Sequence, residues 1–149
     1  MTKLYLAGPM TGIPEFNHPA FRENARLLRS VGYEVFSPAE HDLDLGIDVA
    51  GKTGNETLTD FSAVSIRDVL GDDLDWICRE ADGLAVLPNW KGSKGTRAEI
   101  ATALAIRIPV MGAAQWYDSQ RYGYGEDIDY WTGFYEAALT GTLPVGLRV

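Results

Sequence analysis

The first apolar run, Lys3-Leu-Tyr-Leu-Ala7, is short and ends at Gly8-Pro9, the pattern of a buried strand entering a turn. Pro19 suits the first turn of a helix with Asn17 or His18 as cap. Phe21, Ala25, Leu28 and Val31 then recur at helical spacing until Gly32. Tyr33-Glu-Val-Phe36 reads as a second strand, stopped by Ser37-Pro38. Residues 39–64 show no clear period and carry Gly46, Gly51 and Gly54, so this stretch reads as a long functional or mobile loop. Ser65 followed by Asp68 marks a helix start, with the helix running to about Ala81. Gly83-Leu-Ala-Val-Leu87 is a third strand ended by Pro88. The Gly-rich loop Lys91 to Gly95 leads into a helix from Thr96 to about Arg107, and Pro109-Val-Met111 is a fourth strand. A further helical segment is expected between Asp127 and Leu139.

Strands alternating with helices through short connections predict an α/β fold, a parallel sheet of about four to five strands with helices on both faces. Ligands of such sheets bind beyond the carboxyl ends of the strands, which directs attention to loops 8–18, 37–64 and 88–96. A length of 149 residues suits one domain, read as a core over about 3–111 and an aromatic-rich extension over 112–149. Eight of the 16 aromatic residues lie in that extension, from Trp116 to Tyr135.

Charge narrows the function. The net charge is −8, and residues 40–82 alone hold twelve acidic against three basic groups. Nucleic acid and anionic membranes require basic surface, so neither is an expected partner. One cysteine, Cys78, excludes a disulfide framework, and with only His18 and His41 besides, a structural zinc site lacks ligands. No run approaches the ~20 apolar residues of a membrane span, and MTKLYLAG is no signal peptide. A cytoplasmic domain without metal or cofactor is the expectation.

Three residues stand out chemically. On a helical wheel of residues 66–80, Ile66, Val69, Leu70, Leu74, Trp76 and Ile77 form one stripe, and Asp73 falls inside it. A carboxyl facing the sheet is either a hydrogen-bonded structural group or the lining of a ligand cleft. Glu99 ends Gly92-Ser-Lys-Gly-Thr-Arg-Ala-Glu99, a loop that opens a helix and offers backbone N–H groups to an anion, with Lys91, Lys94 and Arg97 nearby. Thr96-x-x-Glu99 is equally the spacing of a capping box, which would explain Glu99 without any chemistry. Tyr5, late in the first strand, reaches a carboxyl rooted after the third strand if those strands are neighbours.

Leu4-Tyr-Leu-Ala-Gly-Pro9, Asp73-Leu-Asp-Trp76 and Ser93-x-Gly95-x-x-x-Glu99 together resemble the nucleoside 2-deoxyribosyltransferase-like superfamily. Leu6-Ala-Gly-Pro-Met-Thr-Gly12, followed by Asn17 and Phe21, resembles an uncharacterised branch of it frequent in phage and bacterial genomes. The likeness covers about residues 3–111 except 39–64. It implies a doubly wound, flavodoxin-like (Rossmann-like) fold, a homo-oligomer (dimer or higher), and cleavage of the N-glycosidic bond of a nucleoside or nucleoside 5′-monophosphate. By the resemblance, Glu99 is the nucleophile, Asp73 the aspartate near the base, and Tyr5 the group that orients the nucleophile. Gly8, Pro9, Met10 and Gly12 on one loop, and Ser93, Gly95 and Thr96 on another, fall at its phosphate or sugar site. Pro9 replaces a small polar residue, and the helix from Asp73 to the third strand is one residue longer than the family pattern. Such members are often completed by a neighbouring subunit's C-terminal region, an element with no counterpart recognisable here. Two other readings stay open: a ribonucleotide phosphoribohydrolase, from the spacing Gly92-x-x-Gly-Thr-x-x-Glu99, and a non-catalytic nucleotide-binding module.

Overall fold

The computed structural model describes residues 1–123 and 127–142. Four parallel strands, β1 (Lys3–Ala7), β2 (Glu34–Phe36), β3 (Gly83–Val86) and β4 (Val110–Gly112), lie in the order β2-β1-β3-β4. Tyr5 pairs in register with Phe36 on one side and Leu84 on the other, so β1 and β3 are indeed neighbours. β1 and β3 lie in the middle of the sheet, and residues 4–7 and 83–86 are buried throughout, as befits strands covered on both faces.

Alternate strand residues divide the core in two. Leu4, Leu6, Ala85 and Met111 pack against α1 (His18–Ser30) and α5 (Ala113–Tyr122), joined by Phe21, Leu28 and Trp116. Tyr5, Ala7, Leu84, Val86 and Val110 pack against α3 (Ile66–Glu80), α4 (Lys94–Ala105) and α6 (Ile128–Thr140), joined by Ile77, Ile100 and Tyr135. Helices on both faces, with this strand order, make the chain a doubly wound α/β protein of the Rossmann or flavodoxin kind. No helix among the described residues is long and apolar enough to cross a membrane.

The structure departs from the sequence pattern in several places. Residues 39–64 are not a structureless loop. α2 (Pro38–Asp44) opens on Pro38 at its first position, the residue that also ends β2, and seven residues are too few to display a helical period. Beyond it, Ile47 and Val49 are buried, and backbone bonds Gly12 N–Gly54 O (2.7 Å) and Glu15 N–Lys52 O (2.8 Å) tie the segment to the loop after β1. Gly54 adopts φ +92° with the Ile13 backbone where a Cβ would stand, so glycine is required there. A 3-10 turn over Pro14–Asn17 precedes α1, and Asn17, its cap by position, makes no side-chain cap bond but donates to Pro9 O at 2.9 Å. α5 has no counterpart in the sequence pattern because its stripe is broken, with only Ala113 and Trp116 buried. Finally, Ile66 in the first turn of α3 is 68% exposed, outside the stripe assigned to it.

The described part of the expected extension is α5 and α6; its remainder, 124–126 and 143–149, lies outside the described residues. α6 is held to the sheet edge by Val110 N donating to Thr132 Oγ1 at 3.0 Å.

Candidate functional site

The helix carrying Glu99 starts two residues earlier than the sequence pattern suggests. Ser93, not Thr96, is the N-cap of α4: its Oγ accepts from Thr96 N (3.2 Å) and from Thr96 Oγ1 (3.0 Å). Thr96 is thus a buried capping partner, with both donors committed to Ser93. The capping box Thr96-x-x-Glu99 does not form, so capping does not account for Glu99. Its carboxylate instead turns under the sheet, where Oε1 accepts the Tyr5 hydroxyl at 2.8 Å. Tyr5 is fully buried and Glu99 is 7% exposed.

Asp73 arrives from α3, one turn before Ile77, with which it is buried on the same face. The stripe reading therefore holds for the residue that contradicted it. Asp73 Oδ1 is buried without a hydrogen-bond partner among the described residues, a state costing about 1–3 kcal/mol in a finished core. Two other buried side-chain atoms share that state, Ser37 Oγ after β2 and Trp90 Nε1 after β3. Both follow the carboxyl end of a strand, where ligands of such sheets bind.

Burial controls the acid–base character of this cluster. It pushes Glu99 up to about 8, with the neighbouring Asp73 charge acting the same way and the Tyr5 hydrogen bond opposing it. It pushes Asp73 up to about 7, helped by the Asp42 charge and opposed by His41 and Tyr5. Tyr5 itself is raised well above the usual phenol range by burial and the two carboxyls, so it remains a hydroxyl donor. Near neutral pH the two carboxyls hold at least one proton between them, which equips one site with an acid and an incipient anion.

An aromatic wall adjoins the carboxyls. Phe36 stacks on Tyr5 (5.5 Å between centroids) and on Trp76 (4.8 Å), and both Phe36 and Trp76 are partly exposed. Beside Glu99, Gly95 lies one helical turn away on the same face of α4, and a Cβ there would meet nothing. Space is therefore open at Gly95, one turn before Glu99. The N–H groups of Lys94 and Gly95, at the first two helical positions, have no intrahelical acceptor, and the Ser93 hydroxyl keeps its own proton to donate. These donors suit an anion. Lys91 and Lys94 are exposed there, but Arg97 is committed elsewhere, donating to Leu139 O at 2.9 Å and Lys91 O at 3.5 Å.

The loop after β1 divides. Gly8 approaches β3 so closely that a Cβ would press on the Leu87 side chain at 2.8 Å, and the Pro9 carbonyl receives Asn17. Met10 packs into the α1-side core, and Gly12, at φ +84°, is tied to Gly54. Those two residues shape the loop. The residues that sequence reasoning overlooked are Phe36, Trp76, Asp42 and His41. Their signal was weak, because two of them sit on the short α2. Among the described residues, no group of three or more His, Cys, Asp or Glu side chains is placed to hold a metal ion.

No curated protein matches this sequence. A family model described as "Domain of unknown function (DUF4406)" matches residues 2–112, which span β1 through β4 and every residue of the cluster above. The chain belongs to the DUF4406 family.

Proposed function

We propose that this protein is an N-glycosidase or 2-deoxyribosyltransferase-like enzyme acting on a (deoxy)nucleoside 5′-monophosphate. The observation that carries the reading is the buried Tyr5–Glu99 hydrogen bond beside Asp73, whose Oδ1 has no hydrogen-bond partner among the described residues, at the point where β1 and β3 adjoin. It agrees with the resemblance of these three residues to nucleoside 2-deoxyribosyltransferase-like enzymes.

Breaking a C1′–N bond leaves positive charge on the sugar carbon and negative charge on the departing base. In the reacting state the two carboxyls share one proton, held on Asp73, so Glu99 supplies a carboxylate to the carbon and forms a glycosyl ester as the C1′–N bond breaks. Asp73, pushed up by burial to about 7, gives its proton to the base from its protonated form. Developing positive charge at C1′ favours the ionised form of Glu99, and the Tyr5 hydroxyl stabilises that anion. The ester then passes its glycosyl group to water or to a second base. Phe36 and Trp76 offer a stacking surface for the base, and Ser93, Lys94 and Gly95 offer donors to the 5′-phosphate.

The test is a panel of ribo- and deoxyribonucleosides and their 5′-monophosphates, scanned for released base with and without an acceptor base. Base release from at least one member is expected, and none from any member refutes the enzyme. One observation favours a second reading, a nucleotide-binding module without turnover: in the ligand-free chain, burial holds Glu99 largely protonated at neutral pH. Tight binding of a panel member with no product is the outcome that selects it.

A further inference from the structure

The chain has two histidines, and each lies against an aspartate close to Asp73. His18, the first residue of α1, places Nε2 3.1 Å from Asp42 Oδ2, and both residues are buried, at 4% and 7% exposed. His41 Nε2 lies 3.3 Å from Asp72 Oδ2, the residue just before Asp73 on α3. His41 and Asp42 are adjacent on α2 and reach in opposite directions, one to α3 and the other to α1. Arg29 adds a two-pronged tie from α1 to Glu40 on α2, at 2.7 Å for each bond. A helix of only seven residues is thereby fixed between two longer ones across the end of β2.

Pairing a buried imidazole with a buried carboxylate is a costly way to join two helices, since an apolar pair of similar size would avoid the desolvation. The cost makes sense if the charges themselves are used. Three groups on α2 and α3 bear on Asp73: Asp42 and Asp72 favour its protonated form, while His41 opposes them. Tyr5 on β1 opposes them too, and Glu99 on α4 shares the cluster. The segment leading to His18 is itself unusual. Glu15, Phe16 and Asn17 are three successive non-glycine residues at positive φ, a conformation that persists only where its surroundings hold it.

We propose that the two bridges, His18–Asp42 and His41–Asp72, are positioning residues of the candidate site, fixing α2 against Asp73 and setting the field in which that carboxyl keeps or yields its proton. The proposal rests on the reading of Asp73 as the site's acid, but its test requires no substrate.

The experiment is a ¹³C NMR titration of the Asp73 carboxyl in the full chain, assigned by the signal's loss in Asp73→Asn. Asp42→Asn keeps the size and hydrogen bonding of the side chain and removes its charge, so the Asp73 midpoint falls by about half a pH unit or more. His41→Gln removes an opposing group, so the midpoint rises. His18→Gln combined with Asp42→Asn gives the midpoint of Asp42→Asn alone, because His18 acts through Asp42. Midpoints that stay put, or that move the same way in both single variants, overturn the proposal even where melting temperatures drop. If Asp42→Asn fails to fold, the partly exposed His41–Asp72 pair carries the test by itself. Midpoints that move as stated in a protein inert toward the whole panel would leave the bridges standing and remove the glycosidase.

Discussion

At the scale of single residues, Glu99 separates chemistry from architecture. Glutamine at 99 keeps an oxygen to accept the Tyr5 hydroxyl at the same place, so the fold loses little. It has no carboxylate to offer C1′. Glu99→Gln should therefore abolish base release in the nucleotide panel while its melting temperature at pH 6 stays close to wild type, and retained turnover would remove Glu99 from the reaction. Asp73→Asn is the complementary case. An Asp73 serving as a structural hub would lose about 1–3 kcal/mol on that change. Oδ1 has no partner to lose among the described residues, and an asparagine oxygen can meet the Tyr5 hydroxyl as the carboxyl does. Asp73→Asn should cut the rate of base release and leave the urea midpoint at pH 6 unchanged or slightly higher. A large loss of stability with normal turnover per folded molecule would reverse that assignment. Asp73 and Glu99 were both legible in the sequence, the first as a carboxyl inside an apolar stripe and the second through the loop that precedes it. What the sequence could not decide for Glu99 was cap against site, since both need a glutamate at that spacing. Where α4 begins excludes the cap, a shift of two residues that only Ser93's hydrogen bonds reveal.

At the scale of elements, the beginning of α4 is the most informative piece. Its free N–H groups, the Ser93 hydroxyl and two exposed lysines converge on a helix end, an arrangement that favours an anion over a neutral hydroxyl. Arg97, the third cation near this loop in the sequence, is instead turned away by its bond to Leu139 O. The proposal of a 5′-phosphate rests on the backbone donors and the Ser93 hydroxyl. A 5′-monophosphate should exceed its free nucleoside by at least about tenfold in kcat/KM, or 1.4 kcal/mol. Ser93→Ala should narrow that gap, at a cost of about 1 kcal/mol of stability from the lost cap. Equal efficiency on the two substrates would leave the loop as surface. The long strands and helices were legible because burial imposes a period over many residues. α2 escaped because two turns impose none, and the 45–64 segment escaped because backbone bonds to the Gly12–Glu15 loop order it, and these leave no mark on side-chain pattern.

At the scale of the whole molecule, the buried carboxyls set how stability depends on pH. Asp73 rises from 3.8 to about 7 and Glu99 from 4.5 to about 8 on folding, so between about pH 5 and 8 the folded chain binds more protons than the unfolded one. Stability therefore falls as pH rises through that window. Carboxyls held low in the fold act at the other end: Glu56, drawn down to about 2 by backbone donors, with Asp60, Glu40 and Glu23, contributes stability that is lost as pH drops below about 4. The net charge of −8 adds self-repulsion on the alkaline side. Urea midpoints should thus be highest near pH 5 and decline toward pH 9. The double variant Asp73→Asn/Glu99→Gln places neutral groups where the wild type must ionise. It should match the wild type near pH 5 and exceed it increasingly up to pH 9, by several kcal/mol, since each displaced pKa unit is worth about 1.4 kcal/mol and coupling of the two sites reduces their sum. A difference between the two proteins that stays constant from pH 5 to 9 would mean that neither carboxyl is held neutral by the fold. The acid assigned to Asp73 would then lose its physical basis, whatever the nucleotide panel returned.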